Sequence, residues 1–279
     1  MEKNGKAEKI DSLREKARQV RLGIVEALGI GNRGHLGGSM SCADIVAGLY
    51  FYKMKHSPDK LDDPNRDRFI MSKGHSVLAQ YAALADAGYF DKAVLSTTKS
   101  LGSLLQGHPE RTTPGVEANT GSLGQGLSIG VGMALAGKAD ARDYRVYVIV
   151  GDGELAEGQV WEAVMAANHY ALDNLTAIID MNGIQAMGKT RDRYGIESIS
   201  GRFAAFGWKT FEIDGHDMAD IVGALDAASA VRGIPSAIIA RTVKGKGVNF
   251  AENSHIYHNN LLTLEDREKA IASIMSMSV

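Results

Sequence analysis

Asp152 and Asn182, thirty residues apart, carry the most specific chemistry in this chain. Each follows an apolar run: Val146 to Val150 precedes Gly151-Asp152-Gly153, and Leu175 to Ile179 precedes Asp180-Met181-Asn182. Such runs predict buried strands. Between them Glu154 to Ala171 places Val160, Val164 and Ala167 on one face, which predicts a helical crossover. Asp152 and Asn182 then stand just past the carboxyl ends of two parallel strands, the edge at which such sheets bind ligands. A carboxylate and an amide carbonyl are hard oxygen donors. They suit Mg²⁺, which completes its octahedron with phosphate oxygens and water. Gly151 and Gly153 permit a tight turn and close backbone approach. A helix starting after Gly153 would turn free N–H groups and a positive dipole end toward a diphosphate. The pair therefore predicts a metal–diphosphate site. His75 follows Lys73-Gly74 at the expected start of another helix, where an imidazole can donate to a phosphate oxygen.

The string GDGELAEGQVWEA with the later Asn182 resembles the thiamine diphosphate motif, and transketolase in particular. Four further blocks resemble the same family: GHLGG at His35, DRFIMSKGH ending at His75, GHPERTTPGVEANTGSLGQG from Gly107, and KGKGV from Lys244 followed by His255 and His258. The resemblance implies thiamine diphosphate as cofactor, with Mg²⁺ held by Asp152, Asn182 and the backbone carbonyl of Ile184. Gly153, His75, Asn182 and His255 would hold the diphosphate, and Gly121 and Leu123 would line the cofactor rings. His35, His108 and His255 would be the catalytic imidazoles; His35 and His108 would face the substrate, bonding sugar hydroxyls and moving protons. Ser122 stands where the family has proline, and Asn259 where it has a glycine after His258.

The matching blocks run from about Leu22 to His258 and all belong to the diphosphate half of the family. The glutamate that activates the aminopyrimidine lies on a second, pyrimidine-binding domain in that family. The resemblance thus implies the N-terminal subunit of a split transketolase, transferring a two-carbon ketol unit between a ketose and an aldose. A C-terminal subunit would supply the pyrimidine-binding domain and its glutamate, in a two-plus-two assembly. Glu157 and Glu162 match carboxylates at the family's subunit interface. A deoxyxylulose-phosphate synthase is the related alternative.

Gly183 to Thr190 offers a different reading, because GIQAMGKT fits the Walker A pattern after a strand. A P-loop needs a helix beginning at its Lys-Thr, and Arg191 to Gly195 is charged and ends in glycine. Gly29 to Gly34 fits the dinucleotide pattern but follows a helix, not a strand.

These residues need a frame. Strand–helix–strand alternation from Arg145 onward predicts an α/β fold, a parallel sheet with helices on both faces. A helix is expected over Ile10 to Leu28, another from about Ser41, and residues 1–9 are expected to fray. The chain is read as one domain of 279 residues, 44% hydrophobic and 23% charged, with net charge −2. That balance gives no nucleic-acid footprint. The single Cys42 excludes an internal disulfide and any multi-cysteine metal site. Without a signal-like or membrane-length apolar run, the cytoplasm is the expected compartment.

Overall fold

The computed structural model describes residues 2–193, 195 and 198–277. Met1, at the start of the polar stretch, and Tyr194, in the segment after the Walker-like string, lie outside the described residues. The elements in chain order are α1 (Glu2–Leu28), α2 (Leu36–Ser41), α3 (Ala43–Gly48), β1 (Arg68–Met71), α4 (Val77–Asp86), α5 (Gln125–Ala139) and β2 (Val146–Gly151). There follow α6 (Gly158–His169), β3 (Leu175–Met181), β4 (Ile184–Gln185), β5 (Gly188–Lys189), α7 (Ile199–Ala205), β6 (Lys209–Asp214), α8 (Met218–Ala230), β7 (Ser236–Arg241) and α9 (Leu264–Met275).

Strands β1, β2, β3, β7 and β6 form one sheet in that order, with every neighbouring pair parallel. Side chains alternate along a strand, and the two cores divide accordingly. Phe69, Met71, Tyr147, Ile149, Ile178 and Ile238 pack with α1 to α4 and α8. Ile70, Val146, Val148, Val150, Ala177, Ile179, Ala237 and Ile239 pack with α5, α6 and α7. With both faces covered, the central strands read as near-continuous apolar runs. The register pairs Gly151 with Asp180. Asp152 and Asn182 therefore leave the sheet at its carboxyl edge, as their spacing predicts.

Four local expectations change. Helix α1 begins at Glu2 rather than Ile10; Ala7, Glu8 and Lys9 are compatible with helix and simply extend it. The helix expected from Ser41 begins at Leu36 and is interrupted at Cys42, because Ser41 turns its hydroxyl to Asp180 and to the Gly38 carbonyl instead of capping. Glu154 to Ala171 is not one helix. A 3₁₀ turn, Gly153–Ala156, is followed by extended Glu157 and only then by α6. The region after Asp152 therefore offers a single turn of N–H groups, not the end of a long helix. Finally, the Walker-like string forms the hairpin β4–β5 followed by a 3₁₀ turn at Thr190–Asp192. A P-loop requires a loop that opens an α-helix, so the nucleotide reading fails on its own geometry. No helix among the described residues is long and apolar enough to cross a membrane.

Candidate active site

A cavity of about 200 Å³ opens at the carboxyl edge of the sheet. Gly38, Lys73, His75, Leu123, Asp152, Gly153, Asn182, Ile184, Gln185, Lys244 and His258 line it. Most of the residues singled out by type and spacing thus converge, although they come from separate segments of the chain.

The oxygen donors follow the ends of β2 and β3. Asp152 is buried; its Oδ1 accepts from the Gly153 N–H at 2.8 Å, and its Oδ2 from the Gly183 N–H at 2.7 Å and the Thr190 hydroxyl at 3.0 Å. Burial and the nearby Asp180 charge push its carboxyl upward, against these three bonds. Asn182 Oδ1 accepts from the Ile184 N–H at 3.1 Å, and the Ile184 carbonyl accepts from Lys244 Nζ at 2.8 Å. None of the three oxygen groups has exhausted its lone pairs. One carboxylate and two neutral carbonyls suit Mg²⁺ shared with a diphosphate.

Two buried lysines stand beside them. Lys73 is buried and bonds the Gly38 carbonyl at 2.7 Å and Asp180 Oδ2. Burial alone would lower Lys73, but Asp180 outweighs it and the ammonium is pushed up to about 12. Burial likewise raises Asp180, yet Lys73, Ser41 and Thr242 hold it below the usual carboxylate range. This pair is self-neutralised. Lys244 has no such carboxylate partner among the described residues. Burial, reinforced by the charge of Lys73, lowers it to about 8. Gln185 Nε2 is buried without any hydrogen-bond partner among the described residues, and Gln185 lines the same cavity. A buried donor without an acceptor is costly, and a phosphate oxygen would satisfy it. The residues present therefore fit a diphosphate.

Four imidazoles crowd the mouth. Ring centroids lie 4.8 Å apart for His35 and His75, 6.4 Å for His35 and His108, 5.4 Å for His35 and His258, and 5.1 Å for His75 and His258. Burial, then the charges of Lys99, His108 and Lys244, lower His35 to about 4. Burial and Lys244 lower His258 to about 3, and burial holds His75 well below its ordinary value. Burial and Lys99 also lower His108. The cluster is neutral at pH 7, so its nitrogens can both donate to and accept from hydroxyl groups.

One expected residue is elsewhere. His255 is exposed and does not line the cavity; His258 does, with Nδ1 2.9 Å from Lys244 Nζ. His258 is held there by Lys244 and by the rings of His35 and His75, whereas His255 precedes the turn Ile256–His258 and has no such contacts among the described residues. Gly121 stands against His108. It does not line the cavity; it backs His108, whose Cδ2 would lie 2.9 Å from any Cβ there, and its φ of +152° lies at the margin of the glycine-favouring region. Leu123 does line the cavity.

Glu154, to which the sequence assigns no chemistry, is buried structure. Its carboxylate accepts from Ser72 Oγ, from the Gly124 N–H at 2.9 Å and from the Gly151 N–H at 3.0 Å. It ties the ends of β1 and β2 to the start of α5. Sequence reasoning misses Lys73, Asp180, Gln185 and Lys244. Lys73 and Lys244 stand inside the strings KGH and KGKGV, and that position beside glycines is the only signal the sequence offers.

Residues 12–274 match the family described as transketolase, thiamine diphosphate binding domain. This chain belongs to the transketolase family. It is 42% identical over 265 residues to an apulose-4-phosphate transketolase subunit of Phocaeicola vulgatus, covering 95% of this chain and 94% of that one. It is 43% identical over 263 residues to the 6-deoxy-6-sulfo-D-fructose transketolase subunit SqwG of a Clostridium species, covering 94% and 96%. The transketolase of Leishmania mexicana superposes with a TM-score of 0.89 at 34% identity, over 94% of this chain but 41% of that one. The chain thus spans about two fifths of the solved transketolase it matches and nearly all of the two subunits.

Proposed function

We propose that this chain is the diphosphate-binding subunit of a two-subunit transketolase that moves a two-carbon ketol unit between a ketose and an aldose, with sugar phosphates as the substrate class. The observation that carries the reading is the cavity itself. Hard oxygens of Asp152, Asn182 and Ile184 share it with Lys244, which bonds the Ile184 carbonyl, and with the orphaned Gln185 amide. Thiamine diphosphate, when bound, supplies the nucleophilic carbon and the electron sink for this transfer.

The chain's own groups take the remaining tasks. Asp152, Asn182 and the Ile184 carbonyl hold Mg²⁺. Lys244, His75 and Gln185 hold the diphosphate beside Gly153, and Leu123 lines the ring end with Gly121 behind it. His35, His108 and His258 contact sugar hydroxyls, and their neutral rings accept or return a proton as a carbonyl oxygen gains and loses charge. A partner subunit provides the pyrimidine-binding wall and activating glutamate in a two-plus-two assembly; that both relatives are named as transketolase subunits supports this. Phosphorylated sugars do not cross membranes unaided, which supports a cytoplasmic location.

Equilibrium binding tests the reading. The purified chain is expected to bind thiamine diphosphate only with Mg²⁺, and not ATP. Asp152→Ala is expected to lower that affinity about a hundred-fold or more, the loss of one metal ligand, with the far-ultraviolet circular dichroism unchanged. His108→Ala should spare the affinity and, with the partner present, cut turnover by about 10²-fold. Metal-independent binding, or unchanged affinity in Asp152→Ala, would refute the ligand set.

A further inference from the structure

Outside the cavity, Arg21, Asp44 and His216 form a buried cluster that the reaction does not use. Asp44 Oδ1 accepts from Arg21 Nη1 at 2.9 Å, and its Oδ2 lies 2.7 Å from His216 Nδ1. The other ring nitrogen, His216 Nε2, accepts from the Val243 N–H at 2.8 Å. Arg21 Nε donates to the Lys246 carbonyl at 3.1 Å. The cluster therefore joins α1 and α3 to the loop that carries Lys244.

That loop needs anchors. The last bond from β7 into the sheet region is Thr242 N to the Met181 carbonyl at 3.2 Å. Beyond it the chain has no strand neighbour among the described residues, and four peptide groups are held from other parts of the chain. His216 takes the Val243 N–H, Asn253 N donates to the Lys244 carbonyl at 2.8 Å, Gly245 N donates to Gly37 at 3.0 Å, and Arg21 bonds Lys246. Two of these four anchors come from the one cluster. A backbone N–H can only donate, so His216 Nε2 must be bare and the ring proton must sit on Nδ1, donated to Asp44. The two partners, Asp44 at Nδ1 and the Val243 N–H at Nε2, both select this tautomer, and Arg21 balances the Asp44 charge.

We propose that His216 is a positioning residue for Lys244: its imidazole fixes the loop at Val243 and so holds the Lys244 ammonium over the cavity. The consequence for cofactor binding rests on the function proposed above; the tautomer and the loop anchoring do not.

Three measurements on the full chain decide it. Nitrogen-15 NMR at pH 7 should find His216 neutral with the proton on Nδ1; an Nε2–H tautomer or an imidazolium would overturn the proposal. In His216→Phe, amide exchange at residues 243–247 should quicken about ten-fold, the worth of one hydrogen bond, while β2 and β3 keep their protection. His216→Gln, whose side-chain oxygen can reach the Val243 N–H, should restore most of it. Thiamine diphosphate affinity should fall about ten-fold in His216→Phe, the same hydrogen bond read through Lys244, and the same change made on Lys244→Met should cost little more. An equal loss in both backgrounds, or unchanged affinity despite faster exchange, would show that His216 does not act through Lys244. If His216→Phe does not fold, the wild-type tautomer and the His216→Gln variant still decide the matter. If the wild-type chain binds no thiamine diphosphate, the cofactor reading fails, and the tautomer and exchange results still judge the anchoring.

Discussion

At the scale of single residues, Lys244 is the group whose charge the site leaves open. Burial and Lys73 depress it to about 8, so near pH 8 about half of the molecules carry a neutral amine. An anion placed beside it favours the charged form and raises its pKa. The sign follows: binding a diphosphate at pH 8 draws protons from solution. Calorimetry of thiamine diphosphate binding in buffers of different ionisation enthalpy should report net uptake of up to about half a proton. Lys244→Met should lose that component; proton release, or no change in the variant, would remove Lys244 from the diphosphate. The sequence could name Asp152 and Asn182 because each sits at a fixed offset from its own strand end. It could not single out Lys244, whose burial depends on Gly37, Ile184 and His258 arriving from elsewhere. Nor could it choose between His255 and His258, two like residues three apart, of which only His258 meets Lys244.

At the scale of elements, α5 shows how glycine spacing sets the approach of a helix to the sheet. A Cβ on Gly126 would lie 2.6 Å from the Ser72 backbone, and one on Gly130 would lie 2.6 Å from a Val148 methyl. Gly132, on the other side of the helix, has nothing within 4 Å. Gly126→Ala is therefore expected to destabilise the fold by about 1–3 kcal/mol through overpacking. Gly132→Ala should stabilise it by about 0.5–1 kcal/mol through helix propensity. Urea unfolding followed by circular dichroism measures both, and equal effects at the two sites would contradict this packing. The four-residue interval between Gly126 and Gly130 sets both on one face of α5. The break between the turn at Gly153 and α6 was not legible in the sequence. Its cause is tertiary: Glu154 turns its carboxylate back to Ser72, Gly124 and Gly151.

At the scale of the whole molecule, α5 and α6 start beside the cavity and carry apolar side chains that the described residues leave exposed. Leu123 lines the cavity and is 36% exposed, and beyond it Leu135, Met165 and Tyr170 stand 37%, 49% and 50% exposed on or beside α5 and α6. Glu157 and Glu162 are exposed on the same stretch. Isolated apolar residues on a surface need no explanation, but several on two helices packed side by side fit an interface. A second wall there would exclude water from the reacting carbon, and a closed two-fold arrangement would give two such sites. The expectation is that this chain alone, given excess thiamine diphosphate and Mg²⁺, shows no ketol transfer, and that adding the partner subunit restores it in a two-plus-two complex. Met165→Lys should weaken that association about ten-fold or more, because it places a charge in an apolar contact, while leaving the affinity of the isolated chain for thiamine diphosphate unchanged. Light scattering and a coupled assay over a panel of ketose and aldose phosphates, with sulfonated and branched sugars included, test both statements. Full turnover by the isolated chain would end the two-subunit reading, since the activating acid would then have to lie within these 279 residues.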